Sequence, residues 1–170
     1  SFLWGDDCFE NQSMFVGSLL GRSEGFYREA HVAEASVRSS EEGWCFEVAA
    51  EQSGPLYILV SATRIVDILC EGEFVQTAGS WEFDTNAIYL GYCDAGESVE
   101  VEIRPVNPGA GGDVSVKAAT LDEGLAQEAL ETLSRNQLDV SVFEDGRIEG
   151  AFKAEDGQCL LLTVPYEEEW

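Results

Sequence analysis

Apolar and polar residues alternate along most of this chain with the two-residue period of a β-strand, and turns break the pattern about every eight to twelve residues. Val99, Val101 and Ile103 point one way and Glu100, Glu102 and Arg104 the other, which predicts a strand with one face in water. Leu56 to Val60 is a continuous apolar run ending at Ser61, the pattern of a central strand covered on both faces. Further strands are predicted at Val32 to Arg38, Trp44 to Ala49, Ile65 to Cys70, Phe74 to Thr77, Ala87 to Tyr92 and Val114 to Ala118. The expected fold is mainly β, an antiparallel β-sandwich that is jelly-roll-like, with one helix at about 121–135.

That helix is bounded by its own signals. Thr120 and Glu123 read as a capping box, and Asp122 and Glu123 place acid in the first turn, where backbone N–H groups lack partners. Leu121, Leu125, Ala129 and Leu133 then recur at four-residue spacing, with Ala126 and Leu130 beside them, and Arg135 and Asn136 suit the end. Gly124 is out of place in a helix interior, where it costs about 1 kcal/mol relative to Ala. Beyond the helix, Leu138 to Glu144 and Arg147 to Phe152 flank Asp145-Gly146, a two-residue hairpin turn. Asp156-Gly157 leads into Cys159 to Val164, so a three-strand meander is predicted. Residues 1–30 read as a lead-in, partly irregular or with a short helix over 11–20, and 31–170 as a single sandwich domain; 107–112 is a loop.

With 170 residues, 45% of them hydrophobic and 11% aromatic, the chain can bury a core of its own. Nine basic residues stand against 33 acidic ones, a formal net charge of -24, which argues against nucleic acid and against docking to anionic lipid. The acids read as a solvated surface; Asp6-Asp7 and Glu167 to Glu169 lack the spacing of a calcium loop. No apolar stretch reaches the roughly 20 residues that span a bilayer. The five cysteines, Cys8, Cys45, Cys70, Cys93 and Cys159, contain no Cys-x-x-Cys pair, so no metal site is expected, and no cofactor either. One disulfide, with the strands carrying Cys45, Cys70 or Cys93 as the places to look and its connectivity undetermined by the sequence, and a set of small buried thiols are both open.

Little points to catalysis. His31, the sole histidine, sits between Ala30 and Val32 at an ordinary strand start, and Gly109, Gly111 and Gly112 precede no Lys-Ser/Thr pair. With 33 acids, no carboxylate pair stands out. Sugar binding is the better candidate: aromatic rings stack on sugar rings, and carboxylates and amides bond their hydroxyls. Trp81, Trp44, Tyr89 and Tyr92 are the candidate rings, with Asp84 and Asn86 as polar neighbours. Trp81 leads because Gly79 to Asp84 reads as a loop; for each ring the alternative is a place in the core.

Several segments carry a resemblance. Phe9-Glu10-Asn11-Gln12-Ser13 with Leu19-Leu20-Gly21, the strand Val114 to Ala118, the helix opening at Leu121-Asp122, Asp145-Gly146 with Ile148-Glu149-Gly150, and Val164-Pro165-Tyr166 before Trp170 stand in one order. In that order the chain resembles the extracytoplasmic part of the YfhO family of bacterial polytopic membrane proteins. Ser13 stands where that family usually has Asn, and Glu169 where it usually has Gly. The resemblance implies a non-catalytic accessory domain outside the bacterial membrane, in a glycosyltransferase-like parent that decorates cell-envelope polymers such as lipoteichoic acid. Its partners would be acceptor glycan or teichoic acid and the rest of the parent. The strand ending at Pro165 reads as a cut end, with further strands expected beyond Trp170. The alternative is a carbohydrate-binding or adhesin-type module of a secreted or cell-surface protein. Teichoic acids are polyanions, so a domain at -24 has to meet their sugars or bridge through divalent ions.

Overall fold

The computed structural model describes residues 7–23, 25–37, 43–79, 87–107, 113–135, 137–144 and 147–153, with the backbone alone for 34–37. The chain divides into two compact units, Ser1–Ala129 and Leu130–Trp170. The first runs α1 (Cys8–Leu20), β1 (Tyr27–Val37), β2 (Trp44–Ala49), β3 (Gly54–Ala62), β4 (Val66–Cys70), β5 (Glu73–Ala78), β6 (Ile88–Cys93), β7 (Ser98–Pro105) and β8 (Val114–Leu121). Helix α2 (Glu123–Arg135) crosses the boundary, and β9 (Asp139–Glu144) and β10 (Arg147–Ala151) belong to the second.

All eight strands of the first unit join one antiparallel sheet in the order β5-β4-β7-β2-β1-β8-β3-β6. Strand β1 is the hinge. Tyr27 to Ala30 pair with β8, whereas His31 to Val37 pair with β2, with a register shift between Glu34 and Ser36. The sheet therefore falls into two halves, β1-β8-β3-β6 and β2-β7-β4-β5, joined by one strand that passes from the first to the second. This strand order is that of a jelly roll, as the alternation predicts.

Alternation builds the interior. Leu56, Ile58 and Val60 of β3, Ile88 and Cys93 of β6 and Ala118 of β8 meet Trp44, Phe46 and Val48 of β2, Val66 and Ile68 of β4 and Val101 and Ile103 of β7 in one buried cluster. The outer face of β3 and β8 is covered as well. Phe9 of α1 packs there against Leu59 and Ala119, which is why Leu56 to Val60 lacks a polar position. Glu102 of β7 lies on the face read as wet, yet it is buried, and it accepts two hydrogen bonds from the Arg104 guanidinium.

Both helix starts differ in detail from the expectation. Helix α1 is a full three-turn element: the Asp7 carboxylate accepts the Glu10 N–H at 3.0 Å, and at the far end Gly21 turns left-handed (φ 67°) while the Arg22 N–H returns to the Gly17 carbonyl at 2.9 Å. Strand β1 begins at Tyr27, so residues read as lead-in belong to the sandwich. Thr120 does not cap α2. It remains inside β8, fully buried, because the strand continues through Leu121; the cap is Asp122, whose Oδ1 accepts the Leu125 N–H at 3.0 Å. Gly124 thus stands in the first turn, and a Cβ there would sit 3.3 Å from that same Asp122 oxygen, a tight contact with the capping carboxylate. Of the apolar stripe, α2 buries Leu125 and Ala129, while Leu130 and Leu133 are exposed.

In Leu130–Trp170, Glu144 pairs with Arg147, the register a two-residue turn requires, and β9 and β10 form a hairpin with nearly every described side chain exposed. The third meander strand, 159–164, lies outside the described residues, as do 107–112 beyond Asn107. Cys8, Cys45, Cys70 and Cys93 are present as thiols, so no disulfide joins the cysteines among the described residues. Burial, with Glu71 and Cys93 adding to it, pushes the Cys70 thiol up, away from the reactive thiolate; burial, with Glu97 adding to it, does the same at Cys93.

Candidate functional site

Three features of the first unit bear on function, and a bulge creates the first. In a regular strand, residues three apart point to opposite faces. In β6 the pairing with β3 slips between Tyr57↔Tyr89 and Leu56↔Gly91, and Gly91 takes φ 122°, a backbone angle that favours glycine. Leu90 and Cys93 thereby stay on the inner cluster while Tyr89 and Tyr92 both face outward, 52% and 58% exposed. Tyr57, half-buried on β3, tilts against Tyr89 with ring centroids 5.3 Å apart, and Tyr27 meets Tyr57 edge-on at 5.9 Å. Phe9 closes the row at 4.6 Å from Tyr27. A line of aromatic rings thus crosses the outer face from α1 to the edge strand and ends in two open rings.

The second feature is a cleft of about 440 Å³ between α1 and the outer face of β1 and β8, lined by Asp7, Glu10, Tyr27, Glu29, His31 and Lys117 among others. It lies where β1 leaves β8: their pairing stops at Ala30↔Ala118, and the diverging strands present His31 on one side and Lys117 on the other. Lys117 donates to Asp7 Oδ2 at 2.7 Å. Ser13 Oγ accepts from the Phe26 and Tyr27 N–H groups at 3.1 and 3.2 Å, which pins α1 to the start of β1. The Tyr27 hydroxyl donates to Gln12 Oε1 at 2.9 Å. Burial, with Cys8 and Tyr57 adding to it, pushes the Tyr27 phenol up to about 12, so this ring remains a neutral donor at physiological pH.

Burial raises the Asp7 carboxyl, but the Lys117 and backbone hydrogen bonds outweigh it and hold the group below its ordinary value of 3.8. A lowered carboxyl stabilises the fold above its unfolded value and loses that contribution as pH falls through its folded value. Asp7→Ala should therefore cost about 1 kcal/mol at pH 7, the worth of a helix cap. The gap from wild type should narrow below pH 3.8, as urea midpoints at pH 7 and pH 3 would show.

The third feature lies at one end of the sandwich. Arg64, in the turn between β3 and β4, holds its Cζ 5.3 Å from the centroid of the Trp44 ring, and its Nε, Nη1 and Nη2 are sealed from water with no hydrogen-bond partner among the described residues. A desolvated cation–π contact returns about 2 kcal/mol, whereas burying an unpaired charge costs several kcal/mol. The ring therefore does not compensate the guanidinium.

The structure distributes the sugar-binding candidates unevenly. Tyr89 and Tyr92 come together on the outer face. Trp44 is withdrawn into the buried cluster, because it alternates in β2 with Phe46 and Val48, and offers no open ring to a sugar. Trp81, Asp84 and Asn86 lie outside the described residues. Sequence reasoning missed Tyr57 and Tyr27, which alternation alone places on strands without saying what they face. It also missed Arg64. The His31 side chain lines the cleft and makes no hydrogen bond among the described residues. Among those residues no group of His, Cys, Asp or Glu could hold a metal ion, and no helix is long and apolar enough to cross a membrane. No protein-family model and no curated protein matches the chain.

Proposed function

We propose that this chain is a non-catalytic glycan-recognition domain, the extracytoplasmic accessory part of a YfhO-like membrane protein that glycosylates cell-envelope polymers such as lipoteichoic acid. One observation carries the recognition role: Tyr89 and Tyr92 are brought to the same face of an edge strand by a bulge and left open, with Tyr57 supporting the first. A sugar presents an apolar C–H face of about one ring's area, and two rings on a rigid strand stack on it without having to be ordered first. The polar cleft at the other end of the aromatic row supplies hydroxyl partners on the same outer face. The family reading rests on the order of the sequence motifs; the jelly roll is compatible with it and equally with a free-standing carbohydrate-binding module, which a signal peptide and wall anchor in the parent gene would favour.

The test is a calorimetric titration of lipoteichoic acid fragments. Removing one stacking ring should weaken binding about tenfold, which is 1.4 kcal/mol, and Tyr89→Ala with Tyr92→Ala should abolish measurable heat. Both rings are exposed, so the fold should persist. Absence of binding to the wild type, with and without calcium, or equal binding by the double variant, would sink the role.

A further inference from the structure

We infer that the open backbone edge of β8 at residues 114–117 takes an added strand from a protein partner, an extended segment in which basic and apolar side chains alternate. Strand β8 pairs with β3 in unbroken register from Ala62↔Val114 to Leu56↔Thr120, but with β1 only from Ala30↔Ala118 to Tyr27↔Leu121. The Thr63 N–H bonds the Asp113 carbonyl, so Asp113 faces β3, and alternation turns the N–H and C=O groups of Val114 and Val116 the other way, toward β1. There β1 has left to pair with β2, and among the described residues no strand takes those groups. The two rims of the sheet are less suited to addition. In β5 Val75 is the extra residue between Phe74 and Gln76, and in β6 Leu90 is the extra residue between Tyr89 and Gly91. Each outer strand thus carries a bulge that breaks its row of hydrogen-bonding groups.

The cleft between α1 and the outer face of β1 and β8 supplies the room, because His31 and Val32 line it from β1 and Val116, Lys117 and Ala118 from β8. An added strand places alternate side chains on the two faces of the sheet, and each face here calls for a different kind. On the inner face Val32, Val114 and Val116 pack against the buried cluster yet are only partly covered, so apolar side chains beside them extend the core. On the outer side Asp7, Glu10 and Glu29 line the cleft against one lysine, and Lys117 donates to Asp7 at 2.7 Å. That surplus, in a chain of net charge -24, selects a basic segment and opposes a second copy of this chain as the occupant. The added strand is held by the β8 backbone, whereas glycan recognition turns on Tyr89 and Tyr92 of β6, so either can fail without the other.

The experiment titrates the whole chain against a short capped, fluorescent peptide in which lysine alternates with valine, read by anisotropy and by amide hydrogen exchange. In the free protein the Val114 and Val116 N–H groups should exchange as open amides, and saturating peptide should slow them at least about tenfold while leaving β5 and β6 unchanged. Two further peptides keep the charge and carry N-methyl groups, one on the valine nitrogens and one on the lysine nitrogens. One of the two should bind at least about tenfold more weakly, because its methyl groups face β8. Glu29→Lys, an exposed position, should weaken the unmethylated peptide at least about threefold with the fold intact. No binding, equal binding by both methylated peptides, or protection at β5 or β6 in place of β8 would overturn the proposal. So would equal affinity for a peptide with glutamate in place of lysine, or slow exchange of Val114 and Val116 in the free chain, which would mean that the edge is already covered.

Discussion

Gly43→Ala should destabilise the first unit by about 4 kcal/mol, the sum of a strained backbone angle and an overpacked contact, each worth about 1–3 kcal/mol. Gly43 has φ 115° and leads directly into β2, and a Cβ there would stand 2.4 Å from the Ile103 carbonyl oxygen and 3.3 Å from the Arg104 Cα. Neither neighbour can yield, since both are backbone atoms of β7, to which β2 is paired from Trp44↔Ile103 onward. Gly91 is the natural control. Its φ of 122° is nearly the same, but nothing lies within 4 Å of its absent Cβ. Gly91→Ala should therefore cost about 1–3 kcal/mol, the strain alone. Urea unfolding of the two variants with unchanged m-values isolates the steric difference. If Gly43→Ala proves no worse than Gly91→Ala, the close approach of the two backbones is wrong.

Ile58→Ala should cost about 2–5 kcal/mol, the range for emptying a core site that can only partly collapse. Ile58 is fully buried, and its cross-strand partners are Ala118 on one side and Ile88 on the other. Phe143 of β9 is larger but 79% exposed, and Phe143→Ala should change stability by less than about 0.5 kcal/mol. The comparison tests how the two units are held together internally. A lone hairpin is marginal in water, so a large loss from Phe143→Ala would mean that β9 has a covering surface in the molecule.

Much of this fold is legible because strand alternation is a local property. Trp44, Phe46 and Val48 against Glu47 define β2 to the residue, and the same pattern on β3, β7 and β8 is enough for a sandwich. The same alternation could have marked Trp44 as a core residue. Helix α1 was readable as well, since Asp7 and Glu10 have the spacing of a cap and Gly21 that of a stop, but its scattered apolar residues obscured the pattern. The misplaced cap of α2 shows the limit of local signals: Thr120 and Asp122 are both good caps, and only the length of β8, set by its pairing with β1 and β3, decides between them. The site depends still more on distant contacts. Period two sends Tyr89 and Tyr92 to opposite faces, and the one sequence hint to the contrary is a glycine inside a strand. The cleft exists because β1 changes partners, and nothing near Ala30 announces it. An arginine in a turn reads as solvated, and its burial depends on where β2 delivers Trp44.

The passage of β1 between the two halves of the sheet has a consequence for how the chain is made. Its first residues pair with Leu121 and Thr120, so the strand that completes their half of the sandwich is the last of the eight to be synthesised. Until it arrives, β3 and the start of β1 have open edges, and contacts this far apart in sequence form slowly. Such an intermediate is prone to pair with copies of itself. Acidic residues outnumber basic ones well before β8 is reached, so copies of such an intermediate repel one another, and that repulsion opposes the pairing of their open edges.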